Sequence, residues 1–284
     1  MQDEIASRTA LRVAVRRAEH QVLDKPRVFE DHLSLSIIGP EAASEIRPGR
    51  VNRRQRLSPS FRAYMAARSR FAEDELASSV QNGVLQYVIL GAGLDTFGYR
   101  NPHAAAGLRV FEVDHPATQA WKRERLESAG IAIPAGTTLV PADFENHSLA
   151  EVLDGTGFRV DRPAFCSWLG VTPYLTEKAF EQTLAFVAAL PPGSGIVFDY
   201  ALPREGMNEV QRMAFDALAA RVEAAGEPFR LFHYPEELRR TLHRLGFSRL
   251  EDLGEADLNS RYFSGRADGL RIRSRLARLI SASL

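Results

Sequence analysis

Residues 86–100 read QYVILGAGLDTFGYR. The apolar run Tyr87-Val88-Ile89-Leu90 is short enough for a buried strand and stops at Gly91-Ala92-Gly93, a pair of glycines that lets a backbone turn tightly and a ligand lie against it. Asp95 follows where a helix could start. Strand, glycine turn and helix start together open a nucleotide-binding α/β unit. A dinucleotide turn carries a third glycine three positions after the second, and here that position is Thr96. Asp95 also sets a carboxylate where a pyrophosphate would lie, and like charges there repel. The turn therefore suits a nucleoside that lacks phosphates and carries an amino group.

Working outward, apolar or β-branched runs recur at 86–90, 109–113, 138–141, 164–169 and 195–200, with helical stretches at 116–129, 176–189 and 207–225 between most of them. Strands separated by helices make a parallel sheet. A further helix is expected over 235–245, and FSRLEDLG, after Gly246, as the final strand. Upstream, Ile5, Leu11, Val15 and Val22 fit one amphipathic helix closed by Pro26. Gly39-Pro40 and Pro48-Gly49 read as turns. Ser58-Pro59 reads as an N-cap with proline at the first helical position, opening a helix through Phe61, Tyr64, Met65, Arg68, Phe71 and Leu76 that ends near Asn82-Gly83. The expected fold class is α/β: a Rossmann-like, doubly wound, mostly parallel sheet over residues 84–284, with an N-terminal helical cap over 1–83 that contributes to the active site.

Composition narrows the partners. The chain has 284 residues, 45% hydrophobic and 25% charged, enough for one large domain. Its 36 basic and 36 acidic residues cancel, so no global field draws in nucleic acid or an anionic membrane. Cys166 is the only cysteine and lies in an apolar run, which excludes an intramolecular disulfide and cysteine ligation of a metal and fits a reducing compartment. The seven histidines show no metal-binding spacing. No signal-like or spanning-length apolar segment occurs in Met1–Lys25. A cytoplasmic protein with a small-molecule or peptide partner is the expectation.

Each strand end adds a candidate. LRVFEVDHP ends in Glu112-Val113-Asp114, and alternation puts both acids on one face, with Asp114 at the end, where a carboxylate can accept both ribose hydroxyls. LVPADFENHS places Asp143 beside Phe144, a carboxylate for an adenine amino group and a flat side chain to cover the ring. CSWLGVTPYL, residues 166–175, follows the fourth strand.

The segments AARSRF (66–71), VILGAGLDTFGYR (88–100), VFEVDHP (110–116), ADFEN (142–146), SWLGVTPYL (167–175) and RYFSGRADGL (261–270) together resemble class I S-adenosylmethionine-dependent methyltransferases. The resemblance is specifically to the leucine carboxyl methyltransferase-like family, which includes polyketide and metabolite O-methyltransferases. It implies S-adenosyl-L-methionine as cofactor. Arg68 would hold the methionine carboxylate, a task suited to a guanidinium fork. Gly91 and Gly93 would approach the methionine and ribose portion, Asp114 the ribose, and Asp143 with Phe144 the adenine. Tyr174 matches the family tyrosine. Where leucine carboxyl methyltransferases carry a glutamate, in a pattern like AEGLLMYL, this chain has Leu169, which argues against a protein phosphatase as substrate. Tyr174, Tyr200, Tyr262 and Arg266 are candidates for lining the acceptor pocket.

Methyl transfer from a sulfonium is an in-line displacement that needs alignment and exclusion of water more than acid–base chemistry. A carboxylate acceptor is already ionised at neutral pH, so it needs no general base, and the sequence announces none. O-methylation of a carboxylate on a small metabolite or peptide is the expected activity. The alternatives are hydroxyl O-methylation of a polyketide or aromatic product, a nicotinamide-dependent oxidoreductase, and an inactive scaffold that binds a partner through its cap.

Overall fold

A computed structural model describes residues 8–46 and 59–284, apart from 145, 225 and 227. The readings that rest on Ile5, Pro48-Gly49 and the Ser58 cap lie outside the described residues.

Seven strands form one sheet: β1 (Gln86–Leu90), β2 (Arg109–Asp114), β3 (Thr137–Pro141), β4 (Phe165–Trp168), β5 (Gly195–Ala201), β6 (Arg249–Leu253) and β7 (Ala277–Ser283). Their order is β3-β2-β1-β4-β5-β7-β6. Strands β1 to β5 pair in parallel, while β7 runs antiparallel to both β5 and β6. Chain order runs outward from β1 to β3 on one side and from β4 onward on the other. The loops leaving β1 and β4 therefore diverge and open a crevice at their carboxyl ends.

The sheet is apolar on both faces, as a parallel sheet covered by helices must be. Val88, Leu90, Phe111, Cys166, Trp168, Phe198 and Ile280 face one core, which α7 (Leu149–Leu153), α8 (Glu177–Ala188) and α10 (Pro235–Arg244) cover. Tyr87, Ile89, Val110, Phe165, Val197 and Leu279 face the other, beneath α4 (Pro59–Gln81) and α11 (Glu255–Tyr262). Ala63, Ala66 and Ala67 are fully buried on α4, and their small side chains let this helix lie close to the sheet. Helix α4 ends in a Schellman motif: Gly83, at φ +88°, donates to Val80, and Val84 donates to Ser79.

Helix α1 (Arg8–Leu23) packs Ala14 and Ala18 against Ile37 of α2 (Ser34–Ile37) and Ile38 just after it, and against Leu94 and Leu126. Thus α1 lies beside the glycine turn after β1. Helix α6 (Pro116–Ser128) follows β2, and α9 (Glu209–Glu223) follows β5. Among the described residues no helix is long and apolar enough to cross a membrane.

Three expectations differ from the structure. The last strand is not FSRLEDLG but ARLISAS, which forms β7 and is inserted between β5 and β6. Its apolar signal is only the pair Leu279-Ile280, because the flanking positions are small or polar. Gly39-Pro40 opens helix α3 (Gly39–Glu45), with proline in the first turn, where its missing N–H costs nothing. After Asp95 only the single turn α5 (Phe97–Arg100) forms.

Candidate functional site

A cavity of about 260 Å³ occupies the crevice, close to the lower end of the roughly 300–1,000 Å³ usual for small-ligand sites. Its floor is the turn after β1, its walls are the ends of β2, β3 and β4, and α1 and α4 close over it. Arg68, Gly91, Gly93, Asp114, Asp143, Phe144 and Tyr174 all line it.

The glycine turn is required twice over. Gly91 has φ +67°, and a Cβ there would stand 2.3 Å from Val171 Cγ2. Gly93 has φ +45°, and its Cβ would press on Ala10 of α1 at 3.1 Å. A bare backbone is thus the surface that this turn offers.

Asp114 organises the turn from the end of β2. Its Oδ2 accepts from Gly93 N at 2.5 Å and its Oδ1 from His115 N at 2.7 Å. Each oxygen keeps a second lone pair, so the carboxylate can still accept from two ligand hydroxyls. Burial raises its pKa despite the two backbone donors. Asp114 is not the cap of α6: that role falls to His115, whose Nδ1 accepts from Ala117 N at 3.3 Å.

On α4, neighbouring arginines separate cleanly. Arg70 is exposed and pairs with Asp74 at 2.7 Å one turn on. Arg68 is buried, lines the cavity and donates from Nη1 to Asp199 Oδ2 at 2.8 Å. The other oxygen of Asp199 accepts from Gly170 N, and the Asp199 carbonyl accepts from Thr172 Oγ1. A Cβ at Gly170, φ +74°, would come within 2.8 Å of the Arg68 guanidinium. One buried acid in β5 therefore fixes both the turn after β4 and the arginine beneath it.

A second network joins α1 to the glycine turn. Arg17 donates to Asp95 at 2.8 Å, to Asp31 at 2.7 Å and to Thr96 Oγ1 at 3.0 Å. Thr96, where a dinucleotide turn has glycine, instead donates to Asp31 at 2.8 Å. Asp95 also accepts from Phe97 N at 2.7 Å. Burial pushes the Asp95 pKa up, but Arg17, Arg100 and Lys122 outweigh it and hold the carboxyl down at about 2. The charge expected to repel a pyrophosphate is thus present, though paired with Arg17. Glu73 of α4 completes the group, bonded to Arg100, with burial raising its pKa.

Three of the four residues expected in the acceptor pocket lie elsewhere. Alternation along β5 turns Tyr200 to the sheet face opposite Asp199, where its hydroxyl donates to Asp252 at 2.9 Å. Tyr262 donates to Asp74 at 3.1 Å. Arg266 pairs with Asp268 and donates to the Pro26 carbonyl at 2.6 Å. Only Tyr174 lines the cavity. Leu169, which stands at the glutamate position of the resemblance, lines it too. Trp168 points away into the core and stacks on Phe180 with ring centroids 5.5 Å apart.

The leucine carboxyl methyltransferase family model matches residues 10–188, the span that carries the glycine turn, Asp114, Arg68 and the turn after β4. The chain belongs to the leucine carboxyl methyltransferase family. It is 33% identical to YktD of Bacillus subtilis, provisionally named an S-adenosyl-L-methionine-dependent methyltransferase, over 95% of each chain. Two solved structures share the fold. One, from Thermobifida fusca and provisionally named a methyltransferase, has a TM-score of 0.58 at 18% identity over 95% of this chain and 93% of its own. The other, a DUF574 family protein from Streptomyces avermitilis, has a TM-score of 0.59 at 18% identity over 95% and 96%.

In this family member the polar residues missed by the sequence reading include Arg17, Glu73, Arg230 and the Tyr87–Ser167 hydroxyl pair at 2.7 Å, all on the cavity wall, and Asp199 behind Arg68. Asp199 had a signal: it is the one acid in the otherwise apolar strand GIVFDYA. Arg17 had none, since it is one of several arginines on a helix whose buried face only the fold defines.

Proposed function

We propose that this chain transfers a methyl group from S-adenosyl-L-methionine to a carboxylate oxygen of a small metabolite or peptide. The residues present fit that cofactor. The Gly91–Gly93 turn is a cradle that side chains would fill, and Asp114 keeps acceptor capacity for a diol after holding two backbone N–H groups. Arg68, anchored through Nη1, has further N–H donors for a carboxylate. Phe144 and Asp143 stand at the end of β3, where an adenine ring would be covered and its amino group accepted. When bound, S-adenosyl-L-methionine supplies a methyl group on a sulfonium, activated for displacement.

The chain's own residues align and seal. Helices α1 and α4 close over the crevice through the Arg17–Asp95 and Arg68–Asp199 pairs, excluding water from the reacting atoms. The observation that carries the carboxylate reading is the state of the acids around the cavity. Asp95 is held by Arg17, Glu73 by Arg100, Asp114 by two backbone N–H groups, and Asp143 accepts from Asn146 Nδ2 at 2.8 Å. A hydroxyl acceptor requires a base to take its proton, whereas a carboxylate brings its own charge.

Two measurements test this. Calorimetry should show binding of S-adenosylhomocysteine and none of NAD; the reverse would make the protein an oxidoreductase. Incubation of acids and phenols with S-adenosyl-L-methionine should give a product heavier by one CH₂ per methyl transferred, and mild alkali should release the methyl group. An alkali-stable product from a phenol would replace the carboxylate reading with hydroxyl methylation.

A further inference from the structure

Beyond the cofactor half, the cavity is walled by the turn after β4, which contributes Leu169, Val171, Tyr174 and Leu175, and by Pro228 and Arg230 from the segment after α9. That segment is pinned to the turn. The N–H groups of Arg230 and Leu231 both donate to the Pro173 carbonyl, at 2.7 and 3.2 Å. Pro228 and Arg230 meet the cavity while Phe229 between them faces away, its ring 5.3 Å from the ring of Tyr174 and 5.9 Å from that of Phe215. Tyr174 is therefore an aromatic wall backed by further aromatics, and the exposed Arg230 side chain lines the same cavity from a backbone pinned to Pro173.

The cations on this cavity differ in commitment. Arg17 is paired with Asp31 and Asp95, and Arg68 with Asp199. Among the described residues, the Arg230 side chain joins no hydrogen bond or ion pair. An unpaired guanidinium beside an apolar, aromatic wall offers a bidentate carboxylate site next to a surface for a ring.

Resting on the carboxyl methyltransferase reading, we propose that this wall is the acceptor subsite and that its substrate class is an aryl or arylalkyl carboxylic acid, the ring lying on Tyr174 and the carboxylate steered by Arg230. In the transfer a carboxylate oxygen forms the new C–O bond and the methyl–sulfur bond breaks. Its electron pair stays on sulfur, giving a methyl ester and a neutral thioether with no proton moved. Arg230 is a specificity-determining residue that orients the acid and is released from the charge as the ester forms.

The test titrates 2-naphthoate and the neutral 2-naphthalenemethanol into wild type, Arg230→Gln, Arg230→Lys and the surface control Arg212→Gln, each with and without S-adenosylhomocysteine. Binding of S-adenosylhomocysteine is measured separately in every variant. The expected result is binding of naphthoate to wild type and to the control, weakened at least tenfold in Arg230→Gln and partly restored in Arg230→Lys. The alcohol should not respond to any change at 230. Equal naphthoate affinity in wild type and Arg230→Gln, or no naphthoate binding to wild type, overturns the subsite. Failure of wild type to bind S-adenosylhomocysteine, with naphthoate still sensitive to residue 230, would instead overturn the methyltransferase reading and leave the acid subsite standing.

Discussion

Arg68 and Asp199 lie 131 positions apart in the chain and meet at 2.8 Å beneath the cavity, both buried. The family resemblance implies a ligand-binding role for Arg68, and the structure shows that it is half of a buried ion pair. Removing one partner of such a pair strands the other, which costs about 3–5 kcal/mol. Arg68→Ala should therefore lower unfolding stability by that order as well as weaken S-adenosylhomocysteine at least tenfold. The double variant Arg68→Met/Asp199→Asn separates the two effects. Urea unfolding should show most of the stability restored, since no charge is left unpaired, while calorimetry should show the cofactor still weakly bound. Recovery of affinity together with stability would mean that Arg68 is only structural.

Asp114 carries a different double duty. Asp114→Ala removes the acceptor for any ligand diol and frees Gly93 N and His115 N. S-adenosylhomocysteine should bind about 2 kcal/mol more weakly, roughly thirtyfold, through lost charge-assisted hydrogen bonds. Asp114→Asn keeps one oxygen and should fall between the two. Calorimetry of all three proteins at one pH checks the order, and wild-type affinity in the alanine variant would leave Asp114 as a brace for the turn alone.

The Arg17–Asp95 pair predicts a pH signature. The Asp95 carboxyl falls from an ordinary 3.8 to about 2 on folding, because Arg17, Arg100 and Lys122 outweigh burial. A depressed carboxyl contributes stability that is fully present above its unfolded pKa and is lost as pH falls through its folded one. The gap in unfolding free energy between wild type and Asp95→Asn should thus be flat above about pH 5 and shrink between about pH 4 and 2, with a carboxylate contribution of roughly 2 kcal/mol. Glu73, Glu112 and Asp114, whose pKa values burial raises, bias the opposite way. Asp114 is common to both proteins and cancels in the difference, whereas the Asp95 charge itself helps to raise Glu73 and Glu112, so these two shift back in part in Asp95→Asn and reduce the gap. Chemical denaturation from pH 2 to 7 checks it.

What the sequence disclosed follows from where the signal is local. The glycine turn, the acidic end of β2 and the helices at 116–128 and 177–188 are written in contiguous residues, and the structure has them within a residue or two of their expected bounds. Strand β7 escaped because only Leu279 and Ile280 give it an apolar signal. Its place between β5 and β6 is a long-range pairing that no local pattern encodes. The cavity wall is legible in part. Tyr174 is read from the sequence, but Tyr200 is expected there and is absent from it, because alternation in β5 sends Asp199 toward Arg68 and Tyr200 to the opposite core. Arg230 belongs to the wall only because Pro173 pins its backbone.

The glycine turn after β1 can be dissected into its two constraints. Gly91 needs both the left-handed backbone, φ +67°, and room, because a Cβ would lie 2.3 Å from Val171 Cγ2. Gly91→Ala meets both penalties. The backbone alone costs about 1–2 kcal/mol for an L-residue, and the contact adds more by displacing Val171 on the cavity wall. Val171→Ala removes the Cγ2 atom and leaves the backbone cost. In a double-mutant cycle, Gly91→Ala/Val171→Ala should therefore be less destabilised than the sum of the single variants, with a coupling of about 1 kcal/mol or more. S-adenosylhomocysteine affinity should recover only in part, since the new methyl still projects where the backbone receives its ligand. Additive effects in urea unfolding would place the whole cost in the backbone angle and take Val171 out of the turn's design.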